Sequence, residues 1–448
     1  MRRLLPLLLL LLTAALPAAA QPREDAFPYE LKTERLPNGL TVVRVPFRSP
    51  GLVAYYTVVR VGSRNEVEPG KTGFAHFFEH MMFKGTKKHP EGEREQIIAT
   101  YGFDDNAFTT DDFTVYHSYG PTAGLEALIE LEADRFRNLE YAEPSFRTEA
   151  LAVLGEYHKS EVRPELKMEE RLMGAAFQKH TYRHTTIGFH EDIQAMPEAY
   201  AYSRSFFERW YTPDNCLLFI VGDFDDEAVM KRVREHYGPW DRKAAQLTIP
   251  AEPPQKEKRS AHIDWPSSTL PRHVLAWKSP AASLTTPSAA IQSILAAYLV
   301  GPTSPLFKEL VLEKQLAETI ASDFYPHRDP HLLTLAATLK SEEHRATVDA
   351  ALTRAVRELA SGKVDAARVK AIQSNIRYGL LMNLEAPDDL GVQLAWYAGI
   401  FGTPDSLSRH LQSISRVQPE QLVAFAKTYL LDTHLTVLTL APANGGTK

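Results

Sequence analysis

Two histidines and a glutamate stand at spacings of three and four residues in His76-Phe77-Phe78-Glu79-His80. On a helix those spacings put all three polar side chains on one face, where they converge on a common point. Two neutral imidazoles held that way supply half of a tetrahedral zinc site, and the carboxylate beside them is placed to act as a base towards water activated by the metal. A catalytic zinc takes a third protein ligand, so the pattern calls for an Asp, Glu or His on a second helix facing the first. Glu149 and Glu156 are the leading candidates: seven residues apart, they lie two helical turns from one another on a shared face. Between them Ala150, Leu151, Val153 and Leu154 offer an apolar contact to a neighbouring helix. Two carboxylates on one face repel each other, and a bound cation relieves that repulsion.

The flanking sequence supplies elements to hold these groups. Residues 53–61, β-branched and aromatic between Gly51 and Gly62, predict a central strand. The motif helix follows, with Thr72 as its expected cap, an end near Phe83 and a stop at Gly85. Further helices are expected over residues 93–101, 123–139 and 144–159, with a strand-like stretch at 106–117. Pro37-Asn38-Gly39 reads as a hairpin turn.

A weak internal duplication organises the whole chain. Phe207 and Tyr211, ahead of the apolar run 217–221, match Phe425 and Tyr429, ahead of 435–440, at one offset of 218 residues. The expected fold is α+β, with two similar halves, each an antiparallel sheet with helices packed on one face. At that offset the metal motif falls opposite Ile294-Leu295-Ala296-Ala297-Tyr298, so only one half can hold metal. The division expected is a signal peptide at 1–20, a zinc-binding half at 28–245, a Pro- and charge-rich linker at 246–261 and a half without ligands at 262–448.

Composition excludes some classes. A net charge of -6 over 448 residues gives no footprint for nucleic acid. The only cysteine, Cys216, forbids an intramolecular disulfide and reads as a small core residue within a buried strand. Arg2-Arg3, an apolar run over residues 4–16 and Pro17-Ala18-Ala19-Ala20 read as an export signal cleaved after Ala20, giving a periplasmic or secreted protein without a stable membrane span.

The stretch from Gly73 to Thr86, Gly-Phe-Ala-His-Phe-Phe-Glu-His-Met-Met-Phe-Lys-Gly-Thr, resembles the inverted His-x-x-Glu-His signature of the pitrilysin-type M16 zinc peptidases, a family that includes the mitochondrial processing peptidase β subunit. Asn106-Ala107-Phe108-Thr109 and Ala133-Asp134-Arg135 also resemble the family pattern, and Glu156 stands 76 residues after His80, where the family's third ligand falls. The resemblance implies one Zn²⁺ per chain held by His76, His80 and Glu156. It implies Glu79 as general base and Glu149 as a supporting carboxylate. Peptide or unfolded polypeptide would lie extended along Asn106, Ala107 and Phe108, with Phe77 lining a pocket. The implied activity is that of a metalloendopeptidase, with precursor processing or a non-catalytic assembly role as the alternatives. Val311 and Glu318 stand where many members carry a substrate-contacting Arg and Tyr. A two-subunit chamber follows as the expectation: a heterodimer with a paralogue that supplies the missing pair, or a homodimer.

Overall fold

A computed structural model describes residues 27–322 and 324–443. The expected export signal lies outside them. Six strands form the first sheet: β1 (Lys32–Arg35), β2 (Thr41–Pro46), β3 (Leu52–Val59), β4 (Asp104–Thr109), β5 (Thr114–Pro121) and β6 (Cys216–Gly222). Five form the second: β7 (Arg259–Trp265), β8 (Arg272–Ser279), β9 (Ala317–Ala321), β10 (His331–Leu339) and β11 (Leu435–Pro442). The orders β1-β2-β6-β3-β5-β4 and β7-β11-β8-β10-β9 superimpose strand for strand once β1 is set aside. Pairing is antiparallel except at one place in each sheet, where β2 runs parallel to β6 and β7 parallel to β11. The duplication in sequence is thus a duplication of topology.

Within each half the helices cover one face of the sheet. The opposite face is covered by a helix lent by the other half. Helix Pro387–Phe401 lays Leu390, Leu394 and Ala398 against Val43, Tyr56 and Phe219 of the first sheet. Conversely, Pro164–Ala176 packs Leu172 and Ala176 against Val274, Ala276 and Leu438 of the second. Burial on both faces explains why β3 and β6 read as continuous apolar runs rather than alternating ones. Each fully buried leucine of this kind contributes ~2 kcal/mol. The approach is close enough to require glycine: a Cβ on Gly391 would lie 2.5 Å from the Tyr56 ring, and one on Gly399 2.4 Å from that of Phe113.

The motif helix, α1 (Phe74–Met81), is shorter than expected and is capped differently. Gly73, at φ +87°, occupies the cap position, while Thr72 turns away to donate to Asp192 Oδ2 at 2.7 Å. The cap comes from Glu66, whose buried carboxylate accepts the backbone N–H groups of Gly73 and Ala75, each at 2.7 Å. That places a hydrogen-bond acceptor at the start of the helix and satisfies two of its free donors. The stretch expected as one strand at 106–117 is a hairpin, with β4 and β5 joined through 110–113. Residues 246–258 carry no regular structure, yet Glu252 and Gln255 anchor them, and from Arg259 the chain already belongs to β7. The apolar stretch Ser288–Glu313 has the length and composition of a membrane span, but its Ile291, Ile294, Leu295 and Leu299 lie in the core of the second half.

Candidate metal centre and active site

Helix α1 presents His76, Glu79 and His80 towards α2 (Glu143–Glu161), which carries Glu149 and Glu156. Glu156 Oε2 lies 3.6 Å from His76 Nε2 and 3.6 Å from His80 Nε2. The ligand atoms of the three residues fall within 4.8 Å of one another. A tetrahedral zinc with bonds of ~2.1 Å sets its ligands about 3.4 Å apart, so the edges to Glu156 fit that ion with little adjustment. The donors also suit it: two imidazoles and a carboxylate, with Glu156 half-exposed and a coordination position left for water.

Each ligand is held differently. His80 Nδ1 lies 2.8 Å from Glu149 Oε1, which fixes the proton on Nδ1 and leaves the Nε2 lone pair towards Glu156. That hydrogen bond raises the His80 pKa and holds the Glu149 carboxyl down at about 2. The other oxygen of Glu149 takes Lys84 Nζ at 2.7 Å. Glu149 therefore holds the His80 ring through Nδ1, on the opposite edge from the Nε2 that faces Glu156. His76 has no such support. Its Nδ1 is buried without a hydrogen-bond partner, and burial, with His80 beside it, pushes its pKa down to about 4. The imidazole is therefore neutral and able to act as a ligand near neutral pH.

Glu79 stands one turn from His76, and its Oε2 accepts a hydrogen bond from Thr109 Oγ1 at 2.6 Å. Burial pushes its carboxyl above the ordinary glutamate range, against the pull of that hydrogen bond. A cleft of 290 Å³ opens beside it, lined by Glu79, His80, Phe83, Lys84, Glu91, Glu95 and Glu149. A larger cavity of 890 Å³ lies elsewhere, between the two halves, and contains none of these groups.

β4 is the outermost strand of its sheet, so the edge carrying Asn106, Ala107 and Phe108 pairs with no other described strand. Asn106 is exposed, while Phe108 packs partly on Phe113 and Trp396. Phe77 corrects the expectation of a pocket residue. It is fully buried against Phe74 and Phe146 and supports α1 from behind, out of reach of any substrate. Two contributors were missed in the sequence. Thr109 followed from nothing but its place at the end of the resembling strand, and the Glu66 cap had no local signal.

The model described as Insulinase (Peptidase family M16) matches residues 52–189, and that described as Peptidase M16 inactive domain matches residues 200–376. The chain belongs to peptidase family M16. It is similar to the zinc protease PqqE of Helicobacter pylori, with 28% identity over 91% of this chain and 92% of that protein. The crystal structure of a protease from Helicobacter pylori shares its fold with a TM-score of 0.83 and 27% identity, covering 92% of this chain and 100% of that one. The periplasmic protease PqqL from Escherichia coli is alike in fold (TM-score 0.75, 19% identity, 93% of this chain), and this chain spans 48% of its length.

Proposed function

We propose that the chain is a zinc-dependent endopeptidase that hydrolyses peptides or unfolded polypeptides bound in extended form. The observation that carries this reading is the convergence of His76, His80 and Glu156 within 4.8 Å beside the buried carboxylate of Glu79. Zinc, when bound, lowers the pKa of water and polarises the peptide carbonyl. His76, His80 and Glu156 hold it, and Glu149 keeps His80 in the tautomer that ligates. Glu79 takes a proton from the attacking water and passes it to the leaving amine. Thr109 occupies Oε2 and leaves Oε1 for that proton. Substrate adds to β4 as an outer strand, read through its main chain, and broad sequence tolerance follows.

The catalytic half spans 28–245, and the half spanning 262–448 forms the facing wall of a chamber that a second subunit completes. Glu318 is exposed on β9 and Val311 lies in the π-helical segment Lys308–Glu313, so these two positions bring no Arg/Tyr pair to that wall. A paralogous subunit supplies the pair. Residues 1–20 direct export to the periplasm, the compartment named for PqqL. The test is to incubate the pure chain, alone and with proteins that co-purify with it, with an unfolded polypeptide and to map the new termini. Cleavage that a zinc chelator abolishes supports the reading. Full activity from a single pure species overturns the paralogue, and no cleavage in either preparation overturns the peptidase.

A further inference from the structure

The 890 Å³ cavity between the two halves is walled by both of them and by the connecting segment, and its walls carry more positive than negative charge. Arg60 and Arg64, just beyond β3, line it from the first half. Lys278 of β8 and Arg328, ahead of β10, line it from the second. Among the described residues Glu252 and Asp329 are the only acids on its walls, and both are engaged. Asp329 accepts from Arg64 at 2.6 Å and lies 2.9 Å from His180 Nε2. Glu252 takes the backbone N–H groups of Gln178, Lys179 and His180.

The other cations have no carboxylate. Arg60 donates to the carbonyls of Gly399 and Ile400, and the Arg328 side chain to those of Arg60 and Asp112; among the described residues neither side chain forms an ion pair. Asp112, which does not line the cavity, accepts the Tyr182 hydroxyl at 2.7 Å and the backbone N–H of Arg328 at 3.1 Å. Lys278 Nζ is buried without a hydrogen-bond partner and stands 3.0 Å over the centre of the Phe177 ring. Burial, with Arg328 and Arg64 beside it, holds Arg60 down at about 10, and burial takes Lys278 down to about 7. An anion beside these groups removes that cost. Trp210 and Gln255, each 5% exposed, also line the cavity, one with a buried indole N–H that has no acceptor and the other with a buried amide oxygen that has no donor.

We propose that this cavity binds a small organic anion with two acidic groups, one held by Arg60 and Arg328 and the other by Lys278. Guanidinium groups take carboxylate and phosphate oxygens alike. The two positive centres are distinct: Arg328 reaches the Arg60 carbonyl at 3.2 Å, whereas Lys278 stands near Glu252 and Arg259. The volume is that of a small-molecule site rather than of a bare ion, and Trp210, Leu247 and Ile249 give the body of the ligand apolar walls. Bound there, the ligand bridges the first half to the second.

Binding to the folded full chain tests this without reference to peptidase activity. Glutarate and phosphonoacetate, each against chloride at equal ionic strength, are titrated calorimetrically, and thermal unfolding is followed at saturation. At least one should bind saturably, at about millimolar concentration or tighter, and raise the melting temperature. Glutarate alone marks the ligand as a dicarboxylate, and phosphonoacetate alone as a phosphorylated acid. Arg328→Gln and Lys278→Met should each weaken binding roughly tenfold or more. Lys363→Met, the same loss of charge at an exposed position outside the cavity, should leave it unchanged. If Arg328→Gln does not fold, Lys278→Met carries the test. Failure of both anions to bind wild type overturns the proposal, as does affinity that survives Lys278→Met or falls as far in Lys363→Met.

Discussion

Thr109 Oγ1 donates a 2.6 Å hydrogen bond to Glu79 Oε2 and so joins the last residue of the edge strand to the helix face that carries the ligands. The strand that would receive substrate and the carboxylate that would move the proton are therefore one mechanical unit. Thr109→Val removes the donor while keeping the shape of the side chain. A hydrogen bond to a charged group is worth about 1.5–3 kcal/mol, so turnover should fall roughly ten- to a hundredfold. Zinc content should stay unchanged, and Thr109→Ser should restore most of the rate. Loss of metal in Thr109→Val would show that the contact serves the ligands instead.

Glu149 supports His80 through Nδ1 and is itself held by Lys84. Glu149→Gln should weaken zinc binding by roughly ten- to a hundredfold, read by competition with a chelator. Activity should return when zinc is in excess. An enzyme that stays inactive at saturating zinc would instead give Glu149 a direct part in the chemistry.

Glu252 ties the connecting segment to the first half by accepting the backbone N–H groups of Gln178, Lys179 and His180. Those hydrogen bonds outweigh the cost of burial and lower its pKa. A carboxylate whose folded pKa is depressed contributes stability above its unfolded value, ~4.3, and loses it as pH falls through the folded one. Glu252→Gln should therefore melt a few degrees below wild type at neutral pH, and the gap should close at acid pH. A gap that stays constant down to about pH 2 would contradict the linkage.

The sequence was most legible where chemistry is local. His76, Glu79 and His80 share a helix face because of their spacing, and Glu149 and Glu156 share another, two turns apart on one helix. The segment opposite the motif likewise shows in sequence that it carries no polar ligand, and it is a buried helix of the second half. What escaped depends on distant chain segments or on which face is covered. Phe77 has the composition of a pocket residue or a core residue, and only the packing of α2 over α1 decides for the core. Continuous apolar strands do not say that the second cover comes from a helix of the other half. Arg60 and Arg328 are 268 residues apart, beyond any motif.

The central claim is that Glu79 handles the proton at a site that other residues build. Glu79→Gln keeps the size of the side chain and removes the base. Zinc content and peptide hydrolysis, measured side by side with wild type under the same conditions, decide it. The account predicts zinc at the wild-type level and turnover reduced roughly a thousandfold. Near-normal turnover with zinc retained would contradict it.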